Sequence, residues 1–117
     1  MNNADTTLHL FESAREALLP LMSAHRFRLG ALEYESGNAF AEYWRPGLRL
    51  RLVWEGTERS LWMDAAPESG ANLIGRWQDI EWQLAGERLP VDRDVSEARV
   101  ERLLGAVGRY LEGRDAA

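Results

Sequence analysis

Asp5, His9 and Glu12 are spaced four and three residues apart, which on a helix stacks two carboxylates and an imidazole along one face. Zinc takes three or four ligands in fixed geometry, and one imidazole between two flexible acids near a helix start does not supply them. The expected role of this face is solvation. His25, the other histidine, comes at the end of the same predicted helix, where a cation complements the negative end of the helix dipole. That role is expected ahead of general-base catalysis. Catalytic triads assemble from distant parts of a chain, but here there is no Gly-x-Ser-x-Gly elbow, no cysteine nucleophile and no His-Glu-x-x-His. Gly70 and Gly75 are too far apart to cradle a phosphate, and all 14 basic residues are arginine, so a phosphate-loop lysine is missing. The expectation is no catalytic residue, no metal and no cofactor.

Glu33, Glu35, Glu42, Glu55, Glu58 and Asp64 recur through the middle of the chain. A glycosidase-type pair would need two carboxyls about 5–10 Å apart, one of them with a pKa raised by burial. Acids alternating along strands ordinarily form the wet face of a sheet, and that is the expectation. The aromatic residues say more. Phe40, Tyr43, Trp44, Trp54 and Trp62 share this stretch with Arg49 and Arg51. Exposed Trp, Tyr and Arg together are the residue types of interface hot spots, although a guanidinium over an indole also makes a self-contained pair. A second concentration lies in 67–95, where Glu68, Asp79, Glu81, Glu87, Asp92 and Asp94 outnumber Arg76, Arg88 and Arg93. This segment reads either as a recognition surface for a basic partner or as a solvated helix and loop, the commoner fate of charge clusters.

These side chains must be positioned by one domain, because 117 residues suit a single core. The 45% hydrophobic and 28% charged fractions are those of a globular chain. With no cysteine, disulfides and thiolate metal sites are excluded. The opening MNNADTTLHLFESARE has no basic segment followed by an apolar run, so cytoplasmic residence is expected and no membrane association. The net charge of −5, with arginines interspersed among acids, argues against nucleic acid and is compatible with a basic protein partner.

Leu8, Phe11, Ala14, Leu18 and Met22 fall at spacings of three and four and predict a helix from Asp5 to about Ala24. Asp5, Thr6 or Thr7 is expected to cap it, and Pro20 to kink or restart it. From Phe27 the period becomes two, clearest where Leu48, Leu50, Leu52 and Trp54 alternate with Arg49, Arg51 and Glu55. Turn signals at Ser36-Gly37, Pro46-Gly47 and Gly56 divide the stretch into strands 27–35, 38–45, 48–55 and 59–66. Such short connections impose an antiparallel meander. Leu73, Trp77, Ile80 and Leu84 predict a helix over 72–85 ended by Gly86, in preference to a fifth strand through Ile80, Trp82 and Leu84. Asp94 with Glu97 reads as a capping box opening a final helix, whose face is Val100, Leu103, Leu104, Val107 and Leu111 and whose end is Gly113.

The fold class is therefore α+β: a four-stranded antiparallel meander packed by an N-terminal and a C-terminal helix, with a short helix after the sheet. Strand parity puts Trp54 in the core and Trp62 on the opposite face, toward Arg49, Arg51, Phe40 and Trp44. That face is a partner surface, is covered by the 72–85 helix, or is plain surface. In size, acidity and element order the chain resembles small acidic bacterial proteins, the toxin-neutralising immunity proteins and the type III secretion chaperones. The chaperones place a helix between their third and fourth strands, whereas here Val53 to Leu61 reads as a tight hairpin. Likeness at this level transfers no residues.

The expected function is a non-catalytic protein-binding module, with Phe40, Trp44, Arg49, Arg51 and Trp62 or Asp79, Glu81, Glu87 and Asp92 as the contact residues. For an immunity protein the mechanism is occlusion of a basic cleft by acidic side chains. The alternatives are a secretion-chaperone-like binding protein, a small-molecule binder or simple hydrolase with a pocket between sheet and helices, and a homodimer formed through a sheet face or edge.

Overall fold

The computed structural model describes residues 3–67 and 76–116, with side chains from Leu8 onward. In chain order the elements are α1 (Asn3–Ala24), β1 (Arg28–Glu35), β2 (Asn38–Arg45), β3 (Leu48–Glu55), β4 (Ser60–Pro67), β5 (Gln78–Asp79), α2 (Ile80–Ala85) and α3 (Glu97–Asp115). The sheet runs β1-β2-β3-β4-β5 and every neighbouring pair is antiparallel. The fold is α+β with a helix at each end of the sequence, as the periodicities imply.

The turns explain the meander. Ser36 and Gly37 both have positive φ, 50° and 85°, the two-residue type I′ geometry that matches the twist of the flanking strands. Pro46-Gly47, with Gly47 at φ 87°, supplies a type II pattern. Gly56 is required for a different reason, because a Cβ there would collide with the carbonyl of Gly37 in the neighbouring turn. Its N–H instead donates to the Asn38 side chain at 2.7 Å.

Register sets two faces. Ala39, Ala41 and Tyr43 lie opposite Trp54, Leu52 and Leu50, which in turn lie opposite Leu61, Met63 and Ala65. All nine are buried, and Leu10, Phe11, Leu18 and Met22 of α1 and Val100, Leu103, Val107 and Leu111 of α3 close over them in one cluster. The other face carries the rows Phe40–Val53–Trp62, Glu42–Arg51–Asp64 and Trp44–Arg49–Ala66. Trp54 is fully buried and Trp62 stands on the outer face, as parity requires.

Several expectations are corrected. The sheet has a fifth strand, because the chain returns to pair Gln78 and Asp79 with Ala65 and Asp64. The helix expected over 72–85 covers only 80–85; residues 72–75, with Leu73, lie outside the described residues. Asp79 is the reason for the late start, since its side chain accepts from the N–H groups of Glu81 and Trp82 and caps the helix there. Gly86 ends it in the left-handed conformation, as expected. α1 ends at Ala24 as expected but is one helix through Pro20, without the restart, and Gly113 does not end α3, which runs to Asp115. The Asp94–Glu97 capping box does not form, because Ser96 is the N-cap and Asp94 accepts instead from the Ser96 N–H at 2.9 Å. The start of α1 at Asn3 precedes the capping residues expected, and the side chains of Asp5, Thr6 and Thr7 are outside the described ones.

His25 directly follows α1, and its ring is engaged by another element. Its Nδ1 lies 3.0 Å from Asp115 at the far end of α3, and Arg45 donates to the same carboxylate at 2.5 Å. Those hydrogen bonds, Arg45 first and His25 second, hold the Asp115 carboxyl down to about 2. A depressed carboxylate stabilises the fold above its unfolded pKa of about 4 and loses that contribution as pH falls through its folded value. Asp115→Asn should therefore flatten the stability curve between about pH 4 and pH 2, read by urea unfolding across that window. The carboxylate is solvent-facing, so the effect is small, and an unchanged slope would show that the clamp contributes nothing.

Candidate partner-binding cleft

A cleft of about 480 Å³ opens beside the Ser60–Met63 part of β4, which the two-residue β5 leaves uncovered. Trp62 and Asp64 come from β4, Glu55 and Glu58 from the end of the β3–β4 hairpin, and Trp77, Asp79, Glu81 and Trp82 from the returning chain and α2. Arg88 to Asp92 form a strap across one side, and Arg99 of α3 closes the base. Three indoles thus share one concavity with six carboxylates and two guanidiniums.

Arg99 fixes this geometry. It is buried, donating from Nε and Nη2 to the Leu61 carbonyl at 3.1 and 2.6 Å and from Nη1 and Nη2 to Glu81 at 2.8 and 2.5 Å. One planar fork therefore joins α3, the bare edge of β4 and α2, which a lysine cannot do. Asp92 sits 3.6 Å from the same guanidinium and 2.9 Å from Arg102, which also donates to Asp94 at 3.0 Å. On the sheet side Asp64 accepts from Arg51 at 2.8 Å while Trp77 lies over the Arg51 guanidinium at 4.3 Å.

The carboxylates differ in what they have left to offer. Glu58, Asp64, Glu81 and Asp92 are each paired to an arginine. Among the described residues no guanidinium pairs Glu55 or Asp79: Glu55 accepts the Thr57 N–H, and Asp79 accepts the α2 amides. Burial pushes the Asp79 carboxyl above its ordinary range, against the opposing pull of the Trp82 N–H. Asp64 and Asp79 are direct cross-strand neighbours, yet each carboxylate has a structural use that accounts for it. Among the described residues no cluster of potential ligands could hold a metal ion, and no helix is long and apolar enough to cross a membrane.

The indoles differ too. Trp44 lies between Arg28 and Arg49 at 5.8 and 6.0 Å, Trp77 is over Arg51 and Trp82 faces Arg88 at 5.2 Å. Among the described residues no guanidinium stacks on Trp62, the indole on the sheet wall of the cleft, half-buried beside Glu55.

The nine contact residues expected from sequence are thus dispersed. Trp62, Asp79, Glu81 and Asp92 meet in the cleft. Phe40, Trp44 and Arg49 stand elsewhere on the outer face, Trp44 against Arg28 and Arg49, and Arg49 paired with Glu42. Arg51 is held between Asp64 and Trp77, and Glu87 is exposed outside the cleft lining. The returning chain near Trp77 and Asp79, and not a helix over 72–85, covers the Asp64 end of this face. Sequence reasoning missed Trp77 and Trp82, which read as helix or strand periodicity, and Arg99, whose position next to the apolar stripe at Val100 and Leu103 was the available signal.

Comparison with family profiles, curated proteins and solved structures finds no match to this chain.

Proposed function

We propose that the chain is a non-catalytic protein-binding module that takes a basic segment of a partner protein into the tryptophan-walled acidic cleft. The observation that carries this reading is Trp62, an indole on which no guanidinium stacks among the described residues, in a concavity whose other two indoles, Trp77 and Trp82, each have one. The same cleft is lined by Glu55 and Asp79, two carboxylates that no arginine pairs among the described residues. A partner's guanidinium or ammonium against Trp62 gains the ring's quadrupole and a carboxylate that no arginine neutralises among the described residues, in a site already partly dry. In an immunity protein this arrangement neutralises a toxin by seating its basic residues, with association assisted by the net charge of −5.

The test is a fluorescence titration with an arginine-rich nonapeptide and its glutamate counterpart. Binding of the basic peptide alone is expected, weakening as salt rises and as acid protonates the lining carboxylates. Trp62→Ala should lower the affinity about tenfold, the worth of one desolvated cation–π contact, while leaving the far-ultraviolet circular dichroism unchanged. Equal response to both peptides, or an unaffected Trp62→Ala, removes the proposal. A small-molecule site is the second reading, favoured by a volume within the roughly 300–1,000 Å³ of ligand pockets. It is preferred if a single blocked arginine binds as tightly as the peptide.

A further inference from the structure

The opposite edge of the sheet carries a second surface. β1 is exposed along all eight residues and, among the described residues, no strand pairs with its outer side. Leu29, Leu32 and Tyr34 are 47%, 36% and 49% exposed, and they share one face because they lie opposite Tyr43, Ala41 and Ala39. Leu19 of α1, 62% exposed, lines a shallow hollow with Leu29, beside the charged Glu12, Arg15 and Glu16. An eight-residue free edge flanked by three large apolar side chains is a site for strand addition unless something blocks it.

The residues of β1 say what fits there. A bulge at Gly30-Ala31 makes two residues oppose Glu42, so the strand has seven ladder positions with Leu32 in the middle. Arg28 stands at its start and Glu35 at its end, both on the outer face, and no charged side chain pairs Glu33 or Glu35 among the described residues. Antiparallel pairing of the strand with itself about Leu32 puts Arg28 of one copy opposite Glu35 of the other and Leu29 opposite Tyr34. It sets Leu32 against Leu32 on the two-fold axis, and every pair so formed matches in face. Charges and apolar groups are therefore complementary under a two-fold operation, and the bulge disfavours other registers.

We infer that β1 is a dimerisation edge whose partner is a second copy of this chain, giving a continuous sheet across the two-fold. The cleft borders β4, at the far side of the sheet, so both clefts of the dimer stay open and this inference stands apart from the binding proposal.

Light scattering after gel filtration tests it, with the chain loaded at about 100 µM, where a micromolar dimer is populated. The expected mass is twice the 13.3 kDa of the chain. Leu32→Glu, which sets two carboxylates on the axis, should give the chain mass with unchanged circular dichroism. Arg28→Glu and Glu35→Arg should each weaken association about tenfold, and the double variant should restore it, because each residue meets the other across the axis. A wild-type chain that runs at 13.3 kDa, a dimer indifferent to Leu32→Glu, or a double variant no better than the single ones overturns the inference.

Discussion

Arg99→Ala should cost about 3–5 kcal/mol, a large part of the roughly 5–15 kcal/mol that holds a domain of this size folded. The change strips both donors from the Leu61 carbonyl and leaves Glu81 beside a vacated base with its partner gone. A midpoint lowered by about 10–15 °C in thermal unfolding is the expected result. Arg99→Lys should recover only part of it, since one ammonium cannot reach a carbonyl on β4 and a carboxylate on α2 with the same fork. The combined variant Arg99→Met with Glu81→Met separates network from packing. If the loss comes from stranding a charge, the double change is milder than Arg99→Ala; if it is equally severe, the arginine acts mainly by filling space.

Trp54→Ala is expected to cost about 3–5 kcal/mol as well, by a different route. Its ring is fully buried between Ala39 and Leu61 in the register of the sheet, at the centre of the cluster closed by α1 and α3. Among the described residues the buried indole Nε1 has no hydrogen-bond partner, a standing penalty that phenylalanine would remove. Trp54→Phe should therefore cost less than about 2 kcal/mol in urea unfolding, the lost volume being offset in part. Trp62→Ala, on the half-buried outer face, should cost about 1 kcal/mol. Similar losses at Trp54 and Trp62 would contradict the assignment of one to the core and the other to the cleft.

What could be read from sequence followed from local rules. The three hairpins were legible because Ser36-Gly37, Pro46-Gly47 and the Gly56 turn each need a backbone or a close approach that few residues allow. Once the strands are placed, a period of two fixes which face each residue takes, so Trp54 and Trp62 sort correctly. The helix over 72–85 failed because Trp77, which precedes β5, continues at helical spacing the stripe of Ile80 and Leu84, which lie in α2. A two-residue strand such as β5 is too short to generate any period. At the start of α3, Asp94 and Ser96 compete for the same cap, and spacing to Glu97 favoured the wrong one.

The cleft was legible only by halves. Trp62 and the acids at 79, 81 and 92 were visible as separate groups, whereas their meeting depends on where the chain after β4 returns to its edge. No local pattern encodes that return, and it is fixed by tertiary bonds such as those of Arg99 to Leu61 and Glu81. The same dependence explains why Trp44 and Trp62, neighbours by parity, belong to different groups: each is claimed by whichever charged side chains its own row supplies.

The five indole N–H signals of a nitrogen-15-labelled sample offer the most direct measurement, followed while the arginine-rich nonapeptide is added. If the cleft takes a basic segment, the Trp62, Trp77 and Trp82 signals shift together and saturate, and those of Trp44 and Trp54 stay in place. A response confined to Trp44, or five signals that do not move, would contradict it.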